Sequence, residues 1–156
     1  MENSIITVHN VSKTFLEEGR KLAVLERISF DVREGEIFTC LGPSGSGKST
    51  ILRIMSGLDK DFDGEITFHK NIKKEDFSFI FQQFALLPWL TVYENVELWL
   101  IARDVPLHER KLRVKRELKL LKLDGAAHLY PRQLSGGMRQ RVGIARALVI
   151  EPKVIF

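Results

Sequence analysis

Cysteine is nearly missing from this chain: Cys40 stands alone among 156 residues, so no internal disulfide can form. That excludes a disulfide-stapled secreted scaffold and fits a reducing compartment. Long apolar runs are also missing. No stretch approaches the ~20 residues that span a bilayer, so a membrane role is expected to come through a partner. The opening Met1-Glu2-Asn3-Ser4 lacks the basic and apolar regions of a secretory signal. The four histidines, His9, His69, His108 and His128, are scattered without partners at metal-ligand spacing, and no role is assigned to them. There are no repeats or low-complexity tracts. What is present is 44% hydrophobic residues and a formal charge of +4, enough for one globular core with weak attraction to anionic surfaces. The expected location on these grounds is cytoplasmic.

Periodicity divides the chain. Ile6, Val8 and Val11 punctuate polar residues as in a half-buried strand, and the Val-, Leu-, Ile- and Phe-rich stretch from Leu22 to Val32 reads as its neighbour. Ile37-Phe38-Thr39-Cys40-Leu41 is a continuous apolar run, the pattern of a strand buried on both faces. A helix is predicted from Lys48 to Ser56, closed by Gly57, with short strands at Gly64–His69 and Phe77–Phe81. Beyond Pro88 the period becomes helical. Thr91 with Glu94 forms a capping-box pattern ahead of Val92, Val96, Trp99 and Leu100. A second helix is expected from Pro106 to Leu123 with Leu107, Leu118 and Leu121 on one face. A third begins at Ser135 and carries Val142, Ala145, Leu148 and Val149 to Pro152, before a strand at Val154-Ile155-Phe156. The fold class is α/β, with a helical insert of 84–133 between a first part, 1–83, and a last part, 134–156.

Gly42-Pro43-Ser44-Gly45-Ser46-Gly47-Lys48-Ser49 matches G-x-x-x-x-G-K-[ST] between the apolar run and a helix. Glycines let successive N–H groups point inward as an anion nest, and the helix start adds a positive dipole. Lys48 offers a mobile charge for the β- and γ-phosphates, and Ser49 a hydroxyl ligand for Mg²⁺, with Thr50 next to it. A chance match in a chain of this length has a probability of order 0.5%, so ATP or GTP binding is the preferred reading. Leu134-Ser135-Gly136-Gly137-Met138 places a second glycine-flanked hydroxyl at a second helix start.

Together these two motifs resemble the nucleotide-binding subunit of ABC transporters, whose signature loop is LSGGQ-like; Met138 stands in the usual glutamine position. The resemblance covers essentially the whole chain. It implies a P-loop NTPase core of mainly parallel sheet, an N-terminal antiparallel β subdomain and the helical insert. It also implies a head-to-tail pair in which Ser135, Gly136, Gly137 and Met138 serve the nucleotide on the P-loop of a second ATP-binding subunit. Phe15 falls where the family places an adenine-stacking aromatic; core packing is the alternative. Gln82 matches the Q-loop glutamine that reaches Mg²⁺ and the attacking water, with Gln83 one residue away as the alternative. Lys48 and Gln82 are the catalytic candidates, and Ser49 and Gln82 the metal ligands.

The stretch from Leu86 to Val96, LLPWLTVYENV, looks like importers of the nitrate, sulfonate, taurine and bicarbonate group. Leu86, Leu87 and Trp89 would form part of the groove where a permease docks, or else pack within the insert. The expected partners are transmembrane permease subunits, with a substrate-binding protein acting indirectly, at the cytoplasmic face of the cell membrane. The basic segment Arg110–Arg116 is interrupted by Glu109 and Glu117 at its ends and lacks interleaved aromatics, so it reads as a solvated helix face, with no nucleic acid expected. The family's Walker B aspartate and catalytic glutamate would follow Phe156, so a fragment or truncated product is expected, with little hydrolysis and poor solubility. The competing readings are a nucleotide-binding remnant and a non-transport ABC ATPase.

Overall fold

The computed structural model describes residues 4–17, 19–69 and 72–156. The chain divides into two compact units, Met1–Glu75 and Asp76–Phe156.

In the first unit, β1 (Ser4–Glu17) is the centre of a three-stranded antiparallel sheet, flanked by β2 (Arg20–Arg33) and β3 (Asp63–Phe68). Alternation explains its register: Ile6, Val8 and Val11 are buried, as are Leu25 and Val32 of β2. The β1–β2 ladder slips where Lys13 opposes Leu25 but Thr14 opposes Ala23, leaving Val24 as an extra residue on β2. Such a bulge bends its strand and re-aims side chains. Helix α1 (Lys48–Met55) buries Ile51, Ile54 and Met55. It ends in a Schellman motif: Gly57, at φ 75°, donates its N–H to Ile54, and the Leu58 N–H donates to Arg53.

The run from Ile37 to Leu41 departs from expectation. It is not in a strand, and Ile37 and Leu41 are 94% and 90% exposed. Its pattern specifies burial on both faces, but no strand among the described residues hydrogen-bonds to it, and a strand without a neighbour leaves its backbone groups to water.

In the second unit, β4 (Phe77–Ser78) pairs in parallel with β5 (Val154–Ile155), and the ladder runs on through the Ile80 N–H donating to Phe156. The predicted strand to Phe81 is thus shorter. Helices α2 (Val92–Ile101), α3 (Leu107–Leu120) and α4 (Gly136–Leu148) share one core of Val92, Val96, Leu100, Val114, Leu118 and Val142 with their neighbours. Trp99 and Leu107, expected on the buried faces, are exposed. Spacing explains both. The buried stripes run through 92, 96 and 100 and through 114 and 118, while Leu107 is the first residue of its helix. The capping box is present, with the Glu94 N–H donating to Thr91 Oγ1 at 3.2 Å and the Thr91 N–H to the Glu94 carboxylate at 2.7 Å.

Three arginines of α3 face carboxylates: Arg110 meets Glu97 at 2.9 Å, Arg113 meets Glu109, and Arg116 meets both Glu117 and Glu151. The segment read as a solvated basic face is therefore partly neutralised within the unit.

Candidate functional site

Gly47 precedes α1 in the left-handed region, at φ 83°, and is buried. A Cβ there would lie 2.7 Å from Leu25 Cδ2 and 2.9 Å from the carbonyl oxygen of the bulged Val24, so only glycine fits. The β-bulge and the phosphate-loop motif thus meet at one residue. Because Gly47 has no side-chain oxygen, no side chain caps α1, and its first turn contains no acid. The free N–H groups of that turn and the helix dipole face outward as an anion seat.

Lys48 folds back over the loop. Its Nζ donates to the carbonyls of Gly42 at 2.9 Å and Pro43 at 2.6 Å, and to Ser46 Oγ at 3.4 Å. These are neutral oxygens, so the positive charge is positioned but uncompensated there. A nucleotide phosphate fits this seat in charge and in donor set. Ser49 is exposed and Thr50 half-buried at the same helix start, and the Ser49 hydroxyl suits a magnesium ion that keeps water and phosphate in its shell. Ser44 and Gly45 complete the exposed arc of the loop.

Phe15 is 40% exposed, which removes the core-packing alternative. It opposes Leu22 on β2, three residues from the Leu25 that abuts Gly47. At ~3.3 Å per residue, the ring is on the order of 10 Å along β2 from the phosphate seat. Beside it lies Lys13, a residue that sequence reasoning misses. It is 4% exposed and donates to the Asp59 and Asp61 carboxylates, each at 3.1 Å, and to the Asp61 carbonyl. Burial pulls its pKa down, but hydrogen bonds and charge from both aspartates outweigh that and leave it raised. Asp59 is likewise drawn upward by burial. Lys13 and the Asp61 N–H more than offset this and hold it below the usual carboxylate range.

In the second unit, Ser135 caps α4. Its hydroxyl oxygen accepts the Met138 N–H at 3.2 Å, which leaves the hydroxyl proton free to donate to an anion. A Cβ on Gly136 or Gly137 would meet nothing within 4 Å, so this helix start is open to an approaching ligand.

Gln82 and Gln83 are both exposed on a turn, and the turn itself is unusual. Phe84 and Ala85 follow with φ of 58° and 44°, two consecutive left-handed residues without glycine. Arg146, on the buried side of α4, donates to the Ala85 carbonyl at 2.6 Å and to the Phe84 carbonyl at 2.8 Å. Burial lowers its pKa. Sequence reasoning does not single out Arg146, because an arginine at helical spacing carries no mark of its target.

Asn95 is a second unforeseen anchor. Fully buried, it donates to the carbonyls of Leu87, Leu90 and Thr91 and accepts the Leu87 N–H. It thereby fixes the 87–91 loop, on which Trp89 is exposed while Leu86 packs against the helical core.

A family model described as ABC transporter matches residues 25–156. The chain belongs to this family. Aliphatic sulfonates import ATP-binding proteins SsuB of Bacillus cereus and of Bacillus thuringiensis subsp. konkukian are each 45% identical over 158 residues. Those matches cover 97% of this chain and 60% of each relative, so the chain spans about three fifths of their length. Among solved structures, the ATP-binding cassette MJ0796, in a dimeric post-hydrolysis state bound to ADP and Pi, superposes with a TM-score of 0.86 at 38% identity. That superposition covers 96% of this chain and 72% of the other. A second dimeric structure of MJ0796, a bacterial ABC transporter cassette, gives the same TM-score at 39% identity. The α/β fold of an ABC ATPase cassette follows. Among the described residues, no helix is long and apolar enough to cross a membrane.

Proposed function

We propose that this chain supplies the ATP-binding residues of an importer subunit for small organic anions, aliphatic sulfonates first among them. The observation that carries this reading is the uncapped start of α1 with Lys48 folded across it, in a chain 45% identical to sulfonate-import ATP-binding proteins. Lys48 and the N–H groups of Gly42 and Ser44–Ser49 would bind the phosphates, Ser49 would hold Mg²⁺, and Phe15 would stack on the adenine. Mg²⁺ supplies charge neutralisation at the β- and γ-phosphates. Gln82 is the glutamine that senses the γ-phosphate, and the start of α4 at Ser135–Met138, exposed at Ser135, Gly136 and Gly137, donates to the nucleotide of a second ATP-binding subunit. The exposed Trp89, on a loop fixed by Asn95, is suited to contact a permease, which would place the subunit peripherally at the membrane. In the whole protein, hydrolysis at this site drives transport.

The test is genetic and chemical together. Cells lacking the gene should fail to grow on an alkanesulfonate as sole sulfur source and recover with the intact gene. They should not recover with Lys48→Ala. Normal growth on alkanesulfonates, with a defect on nitrate or another anion, would move the assignment within the importer group. Normal growth on all such anions would remove the importer reading.

A further inference from the structure

Among the described residues of the first unit Lys13 is the most deeply buried cation, and its surroundings are built rather than incidental. Two carboxylates and a carbonyl fix its Nζ, and the Asp61 N–H in turn donates to the Asp59 carboxylate at 3.0 Å, which ties the two aspartates to each other. The same Nζ lies 4.9 Å from the centroid of the Phe15 ring, inside the range of a cation–π contact. A flat ring has two faces. The ammonium takes one of them, and the 40% exposure of Phe15 belongs to what is left. Phe15 and Lys13 oppose Leu22 and Leu25, so the four residues Leu22–Leu25 of β2 connect the ring, the ammonium and the Gly47 corner of the phosphate loop.

We infer that Lys13, held by Asp59 and Asp61, is a positioning residue that locks the Phe15 ring and leaves one face as the platform for the adenine of a nucleotide seated on Gly42–Ser49. This rests on the reading of Phe15 as the adenine-stacking residue. A ring fixed before binding has no rotamer freedom left to lose when the base arrives, and it accepts the base on one side only. The effect is on the base and not on the phosphates, which Lys48 and the loop hold.

That separation gives the experiment. Binding of Mg-ATP and of magnesium tripolyphosphate, which has the phosphates without the base, is measured on the full chain and on four variants. Phe15→Ala should weaken Mg-ATP about tenfold and leave tripolyphosphate within about twofold, as loss of one base–aromatic stack predicts. The double variant Lys13→Met with Asp59→Asn removes the cation together with its half-buried carboxylate partner, and the remaining carboxylate, Asp61, is 96% exposed and is left to water. It should weaken Mg-ATP about three- to tenfold with tripolyphosphate unchanged. Lys13→Arg, which keeps a cation over the ring, should bind Mg-ATP like the parent, and Lys13→Met alone should match the double variant. Equal loss of both ligands in the double variant, beside a selective loss in Phe15→Ala, would make Lys13 a structural residue only and overturn the inference. Unchanged or tighter Mg-ATP binding in the double variant would overturn it too, since the ammonium would then be irrelevant or in the way. A Phe15→Ala variant that binds Mg-ATP like the parent would instead remove the stacking assignment beneath it.

Discussion

Two helices of this chain begin beside glycines, and they satisfy their free N–H groups by opposite means. Helix α1 starts after Gly47, with no side-chain cap, no acid in its first turn and a lysine folded across the loop. Helix α4 starts after Ser135, whose hydroxyl oxygen closes back on the Met138 N–H. The first leaves its donors and its dipole to a ligand. The second closes one of its N–H groups with its own side chain and keeps the hydroxyl proton, the N–H groups of Gly136 and Gly137 and open glycine flanks. One chain therefore holds an uncapped helix start with a lysine across it and, separately, a helix start that a serine side chain partly caps.

The two starts should differ most in their response to lost charge. Lys48→Ala should weaken Mg-ATP binding about 100-fold, on the order of 3 kcal/mol for charge-assisted contacts to phosphate, as read by isothermal titration. Loss of less than fivefold would mean that the backbone nest alone seats the anion. Arg146→Met should lower unfolding stability by roughly 2 kcal/mol, because the carbonyls of Phe84 and Ala85 lose a charged, buried donor, and denaturant midpoints measure this. Ser135→Ala should cost about 1 kcal/mol of stability, the usual value of an N-cap, and leave Mg-ATP binding to the chain within about twofold. A large loss of binding there would erase the distinction between the two helix starts.

The smallest effect is on pH. The pKa values of Asp59, Glu94 and Glu151 all lie below the ordinary carboxylate range. For Glu94 the main cause is the Thr91 N–H, and for Glu151 the Arg116 guanidinium. A depressed pKa means stability that is present above the unfolded value and lost as pH falls through the folded one. Urea midpoints should therefore be flat from about pH 7 to 5 and fall below about pH 4.5. In Thr91→Ala that fall should be only slightly shallower, since Glu94 loses the Thr91 hydroxyl donor but keeps the backbone N–H.

Much of this is legible in the chain. Lys48, Ser135 and the Thr91–Glu94 box are marked by spacing alone, because each is a local device whose partners lie within a few residues. Gly47 is marked by its motif, although the Val24 and Leu25 that exclude a side chain there are distant in sequence. The antiparallel strands and the three long helices follow from period. What is not legible has long-range partners. Lys13 finds its carboxylates 46 and 48 residues away, and Arg146 finds its carbonyls 61 and 62 residues away. Nothing in the local pattern around Lys13 or Arg146 points at such distant oxygens. The apolar run 37–41 shows the converse. Its composition encodes an environment of flanking strands, and composition cannot by itself create the neighbours that backbone pairing requires.

The turn at Phe84 and Ala85 is held by helix α4. Ser135 and Arg146 lie eleven residues apart along it, roughly 16 Å at the α-helical rise. At that far end the guanidinium holds the two carbonyls at 2.6 and 2.8 Å. Two left-handed residues cost of order 1–3 kcal/mol each and persist only while something holds them. The turn after Gln82 and Gln83 therefore keeps its left-handed pair only through α4, and the donors that hold it sit eleven residues down the helix that Ser135 begins.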